Sequence, residues 1–230
     1  MNFNETVTYP MERDDWVKTL LIGGVLILFG VLLVPLFIVY GYIVRTIRES
    51  LAGETEPPAF GDWGGLLVDG VQAWVISLVY LLVPLIVAGV TVGGSIAAIA
   101  TGSEAGAAAG AGGLFVGLTL STLLALVFGY LAVVAIVNFA REDRFGAAFD
   151  FETIRTVAFD REYAIAWLVS VTIFVVASFV SAIPLVGWLL APFAAFYAAV
   201  VAANLWAGGF TQAIATTGGH RRTRDEESVV

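Results

Sequence analysis

The chain has 230 residues, 59% of them hydrophobic and only 13% charged, with a mean hydropathy of +0.92. Soluble domains carry about 25% charged residues, so the composition excludes an ordinary soluble domain and points to a single membrane bundle. A formal charge of −8 disfavours nucleic-acid binding, and the absence of cysteine excludes disulfides, thiolate metal sites and cysteine nucleophiles.

Residues 1–19, MNFNETVTYPMERDDWVKT, form a polar, acidic N-terminal segment without the basic start of a secretory signal. The apolar run after it is too long for a signal's hydrophobic region, so a retained first span is expected. Five apolar segments follow, at about 20–44, 71–100, 113–140, 164–182 and 185–210, within one bundle over 20–210; a polar tail occupies 211–230. A helix needs about 20 apolar residues to cross the hydrocarbon. Runs such as LVYLLVPLIVAGV do not alternate as barrel strands do. The expected fold is all-α: a polytopic membrane helix bundle of about five transmembrane helices with two short interfacial amphipathic helices on the cytoplasmic side.

Cations set the expected orientation. Arg45 and Arg48 follow the first span, Arg141, Arg144, Arg155 and Arg161 separate the third from the fourth, and Arg221, Arg222 and Arg224 close the tail. With five alternating spans these nine of eleven cations share one side, and Arg13 and Lys18 fall opposite. Under the positive-inside rule the N-terminus is outside and the C-terminus cytoplasmic, in the plasma membrane. Arg45 and Arg48 read first as topology anchors, since at mid-bilayer each would cost about 2.5 to 3.5 kcal/mol.

Between the first two spans, Pro57 and Pro58 force an extended approach. Phe60, Trp63, Leu67, Val71 and Trp74 then recur at helical spacing, and Asp62 and Asp69 lie off that face. An interfacial helix is expected over about 60–70. A related stretch follows the third span: FGY at 128–130 answers YGY at 40–42, and AFD at 148–150 answers AFGD at 59–62, which suggests a parallel repeat. Its interfacial helix is expected over about 149–160, with Asp62 and Asp150 placed to cap the two. Arg45, Arg48, Asp62, Trp63, Asp69, Asp150 and Glu152 are the candidate cytoplasmic docking residues.

Small residues recur every fourth position in the third span, Gly113, Gly117, Ser121, Ala125 and Gly129, and in the fifth, Ala191, Ala195, Ala199, Ala203 and Ala207. Gly89, Gly93 and Ala97 add a stripe to the second. Such stripes let backbones approach where lipid supplies no hydrophobic drive, and they read as packing seams within the chain, with homo-oligomerisation through one of them left open. Pro35, Pro84 and Pro192 mark expected discontinuities. The few polar residues within the spans are Gln72, Asn138 and Asn204, the last expected to bond a neighbouring helix. No acid or base is expected at mid-depth, so the material of a proton relay is missing. His220 stands alone beside Arg221 and Arg222, and the carboxylate pairs lie at the rims as caps and solubilising charges. Asn4-Glu5-Thr6 is a glycosylation sequon.

The segments YPMERDDWVKTLLIGGVL at 9–26, VPLFIVYGYIVRTIRESLAGETEPPAFGDWGGLLVDG at 34–70, NFAREDRFGAAFDFETI at 138–154 and IPLVGWLLAPFAAFYAAVVAANLWAGGF at 183–210 resemble the DUF4013 family of archaeal and bacterial membrane proteins. The resemblance implies an integral membrane protein and supplies no catalytic residues. Acid excess and scarce lysine are similar to those of haloarchaeal proteins. The reading that follows is a non-enzymatic scaffold or accessory protein, without cofactor or metal, that meets the lipid bilayer and a cytoplasmic or membrane protein partner. The alternative is a transporter or channel-like component for a neutral or lipid-like solute; a lipid-modifying enzyme stands third, for want of a nucleophile or metal constellation.

Overall fold

The computed structural model describes the backbone of residues 3–227 and the side chains of residues 5–216. The side chains of Asn4, His220, Arg221, Arg222 and Arg224 lie outside the described residues. Eight α-helices follow one another: α1 Phe3–Thr8, α2 Trp16–Leu28, α3 Val34–Ala52, α4 Trp63–Ile99, α5 Glu104–Glu142, α6 Phe151–Ala158, α7 Arg161–Ser178 and α8 Gly187–Glu227. Among the described residues four stretches are long and apolar enough to cross a membrane: Trp63–Ile99, Glu104–Glu142, Arg161–Ala182 and Gly187–Thr216. The chain forms two compact units, residues 1–75 with 134–230, and residues 76–133.

The first expected span, 20–44, is not one helix. α2 stops at Leu28, a 3-10 turn covers Gly30–Leu32, Leu33 takes a φ of 63°, and α3 restarts at Val34 with Pro35 in its first turn. Proline is tolerated there because a first-turn N–H has no intrahelical acceptor. α2 and α3 run antiparallel, as the contacts at their outer ends show. The Tyr9 hydroxyl donates to the Glu56 carbonyl at 3.3 Å and Arg13 Nη1 to the Pro57 carbonyl at 3.4 Å. Arg13 and the N-terminal segment therefore lie at the same end of the unit as Arg45 and Arg48, not at the opposite end as a single straight span would require.

α8 is the axis of the first unit and packs against α1, α2, α3, α6 and α7. Its small residues make this possible: Ala198, Ala202, Ala203 and Ala207 are buried, Ala195 and Ala199 half-buried. Glycines on α2 receive its rings, Phe196 against Gly23 and Phe193 against Gly24, with no room for a β-carbon at either. Tyr9, Val39, Tyr42, Leu66, Phe196 and Val200 form one buried cluster around that contact.

α3 and α4 meet backbone to backbone. A β-carbon at Gly41 would coincide with the Leu66 carbonyl, and one at Gly70 with the Phe37 carbonyl. The buried side of the first turns of α4 is thus Leu66, Gly70 and Ala73, and Trp63 and Val71 are exposed. The segment expected as a separate interfacial helix over 60–70 is an extended approach followed directly by α4. Phe60, Leu67 and Trp74 of the expected face are half-buried, Phe60 against Tyr42 and Trp74 against Phe37. A short helix, α6, lies within the second expected segment, 149–160, and the Asp150 side chain caps it by accepting from the N–H groups of Glu152 and Thr153.

In the second unit α4 and α5 close on the expected seam. Gly110 packs on Ile99, Gly113 on Ser95 and Gly117 on Thr91; Ser95 and Ser121 are buried and Ala125 half-buried. Gly89, Gly93 and Gly129 have nothing within 4 Å of a built β-carbon, so the stripe on the second span and the FGY echo of Gly41 are not used in the same way. Pro84 and Pro192 sit inside continuous helices; of the three expected breaks, only the one before Pro35 is real.

Candidate functional site

Polar side chains of the first unit gather where α3 ends, α4 begins and α5 ends. Arg48, on the last turns of α3, reaches Asp69 of α4 through both terminal nitrogens, at 2.5 and 3.2 Å, and Asp143 just past α5 at 2.7 Å. Its guanidinium also lies 5.8 Å from the Phe139 ring centroid. One half-buried cation thus ties three helices, and the bidentate fork fixes its direction. One turn earlier, Arg45 donates to the Gly61 carbonyl at 3.0 Å and pairs with Asp62 at 3.3 Å. Asp62 itself accepts from the Gly65 N–H at 3.2 Å and caps α4. Arg141 stands 5.2 Å from the Phe210 ring of α8 and, with Arg144, pairs Glu142.

The approach to α4 is pinned just as firmly. The Tyr42 hydroxyl donates to the Pro58 carbonyl at 2.9 Å, and its ring stacks on Phe60 at 4.3 Å. A polar chain runs inward from the loop: Asn204 donates to the Ser50 hydroxyl at 3.2 Å, Ser50 to the Tyr9 phenol at 3.3 Å, and Tyr9 to the Glu56 carbonyl. Burial pushes the Tyr9 phenol upward, so it stays a donor. Against this loop opens a depression of about 690 Å³ whose charged lining is Arg13, Arg48, Glu49, Glu54 and Glu56. Its two cations are already engaged, Arg13 by Asp15 and the Pro57 carbonyl, Arg48 by its two aspartates.

The family model described as a protein of unknown function, DUF4013, matches residues 24–186. The chain belongs to the DUF4013 family. The match runs from the second half of α2 to the turn before α8, so it takes in the α2–α3 turn, the Arg45 and Arg48 pairs, the Pro57-Pro58 loop and α6. No curated protein and no solved structure matches this DUF4013 chain.

Of the residues expected to face a partner, Arg45, Arg48, Asp62 and Asp69 are brought together, but as each other's partners. Asp69 retains only 16% side-chain exposure, so it is a structural anion. Trp63 is half exposed and stacks on Phe60 at 5.7 Å. Asp150 is the N-cap of α6, its carboxylate held low by the Thr153 hydroxyl and N–H, and Glu152 in the first turn is exposed. No group of three or more acids or histidines suited to a metal occurs among the described residues. The expectation for Asn204 is met by its bond to Ser50. Asp143 was missed, although the sequence carried a signal: acid at a helix C-terminus opposes the helix dipole, so the Glu-Asp of AREDR calls for cationic partners.

Proposed function

We propose that this DUF4013 protein is a non-enzymatic scaffold or accessory protein of the plasma membrane, whose cation-bearing end faces the cytoplasm and holds a basic segment of a protein partner. The observation that carries this reading is the depression beside the Pro57-Pro58 loop. Its arginines are neutralised by Asp15, Asp69 and Asp143, which leaves Glu49, Glu54 and Glu56 as a surplus of negative charge on a backbone held by Tyr9, Tyr42 and Arg45. A fixed anionic surface steers and orients a cationic partner more than it tightens it. The hairpin α2–α3 supports that orientation: it brings Arg13 and Lys18 to the end that carries Arg45 and Arg48, while the turns at 29–33, 100–103 and 183–186 hold no Lys or Arg, and the positive-inside rule favours the cation-bearing end as the cytoplasmic one.

The test is site-specific photocross-linking from Thr55 in native membranes, with and without Glu54→Lys and Glu56→Lys together. A protein adduct that disappears with the charge reversal is the expected result. Adducts to lipid alone, unchanged by the reversal, would replace docking with passage of a neutral or lipid-like solute.

A further inference from the structure

The turn that closes α2–α3 carries no charged or amide side chain: Phe29, Gly30, Val31, Leu32, Leu33 and Val34. All but Gly30 are more than half exposed, Val31 by 86%. Hydrocarbon accepts such a turn only if its backbone polar groups are satisfied internally. They largely are. Phe29 N–H donates to Val25, Leu32 to Phe29, Leu33 to Gly30 and Phe37 to Leu33, at 2.9 to 3.0 Å, and Pro35 has no N–H to leave free. Leu33 bears a positive φ that glycine or asparagine reaches with less strain. Leucine in that place keeps the tip wholly apolar.

The arms are short. α2 has 13 residues, about 20 Å of helix. Arg45 lies twelve residues beyond Leu33, about 18 Å along α3. The hydrocarbon is about 30 Å thick, and apolar stretches of about 10 to 14 residues are characteristic of re-entrant segments. The α4–α5 turn differs in each respect: it carries Thr101, Gly102, Ser103 and Glu104 and joins helices of 37 and 39 residues.

We propose that α2–α3 is a re-entrant hairpin. It enters from the cation-bearing side, ends with Val31 and Leu32 among lipid acyl chains, and returns to the same side. The surface at its tip is matched to the bilayer interior, and the acyl chains of the opposite leaflet fill the space beneath it. This rests on the shared end of α2 and α3, not on the docking reading above.

The chain has no native cysteine, so Val31→Cys, Ser103→Cys and Thr55→Cys, all at exposed positions, can be made singly in the full-length protein. In sealed vesicles an impermeant maleimide should label Ser103→Cys and Thr55→Cys from opposite faces, and Val31→Cys from neither until detergent is added. A small fluorophore attached at Val31→Cys should be quenched more by nitroxides deep on the acyl chain than by headgroup nitroxides. Labelling of Val31→Cys from the Ser103 face would mean that the arms span a thinned bilayer, and labelling from the Thr55 face that the tip never enters; either overturns the proposal, as does stronger headgroup quenching. Thr55→Cys and Ser103→Cys labelled from one face would instead overturn the sidedness of α4–α5 and leave the depth measured at Val31→Cys standing on its own.

Discussion

In the unit of residues 1–75 and 134–230, the close helix contacts set large rings against glycine and then pin them with polar groups. Phe196 covers Gly23, Phe193 covers Gly24, Tyr42 stacks on Phe60 and donates to Pro58, and Arg48 binds two aspartates. In residues 76–133 the α4–α5 contact is made by Thr91, Ser95, Gly110, Gly113 and Gly117, and the threonine hydroxyl is spent on its own helix, at the Val87 carbonyl. Lipid tails are as apolar as leucine, so neither contact gains from the hydrophobic effect as a soluble core does. The first unit gains direction from ion pairs and side-chain hydrogen bonds, each of which permits one register. The second depends on dispersion along a smooth stripe, which specifies closeness better than register.

The sharpest way to break this contrast is at the α3–α4 crossing. Gly41→Leu places side-chain atoms where the Leu66 carbonyl lies, and the loss should be at least about 3 kcal/mol, the upper range for overpacking. Loss of monodisperse protein in mild detergent is the readout, and a Gly41→Leu chain that stays folded would show that the helices are not in backbone contact. Removing a pin comes next. Asp69→Ala leaves the half-buried Arg48 with Asp143 alone and should cost about 1.5 to 3 kcal/mol, the range for hydrogen bonds to charged groups; thermal unfolding checks it, with Asp69→Asn falling between.

In the second unit Gly117→Leu meets Thr91 and should cost about 1 to 3 kcal/mol. Gly89→Leu, with nothing within 4 Å of its β-carbon, should leave the unfolding midpoint unchanged. Equal effects at the two glycines would remove the seam from the account.

The smallest effect is at α6. Asp150→Ala should cost about 1 kcal/mol as a lost N-cap. The Thr153 bonds lower the Asp150 pKa below its ordinary value of 3.8, so the unfolded chain binds the proton first. The cap's contribution is therefore complete above that value and disappears as pH falls through the lower folded value. Protease resistance of the 144–160 segment should be flat from neutral pH to about 4 and drop below it, and the Asp150→Ala chain should lack that drop.

Much of the helical plan was legible because lipid imposes it: runs of about 20 apolar residues, charges at their ends and small residues along contacts. What misled was continuity. Leu20 to Val44 is long enough to cross once, and hydropathy does not distinguish one straight pass from two short ones folded at Gly30–Leu33; only the Pro35 break hinted at it. From Trp63 to Trp74 the aromatic spacing follows one face of α4, on which Trp63 and Val71 are exposed, whereas the buried side, Leu66, Gly70 and Ala73, carries no aromatic pattern to mark it. Asp62 and Asp69 read as free surface charge since their partners, Arg45 and Arg48, lie 17 and 21 residues away, a separation that pattern alone does not bridge.

The central place of α8 has a consequence for how the protein is made. It leaves the ribosome after every helix it packs against, yet Gly23, Gly24, Tyr42 and Ser50 all wait for partners on it, at Phe193, Phe196 and Asn204. The inner face of the α2–α3 hairpin therefore stays unfilled while more than 130 further residues are synthesised. Chains interrupted before Gly187 leave two glycine hollows and a polar chain without their partners.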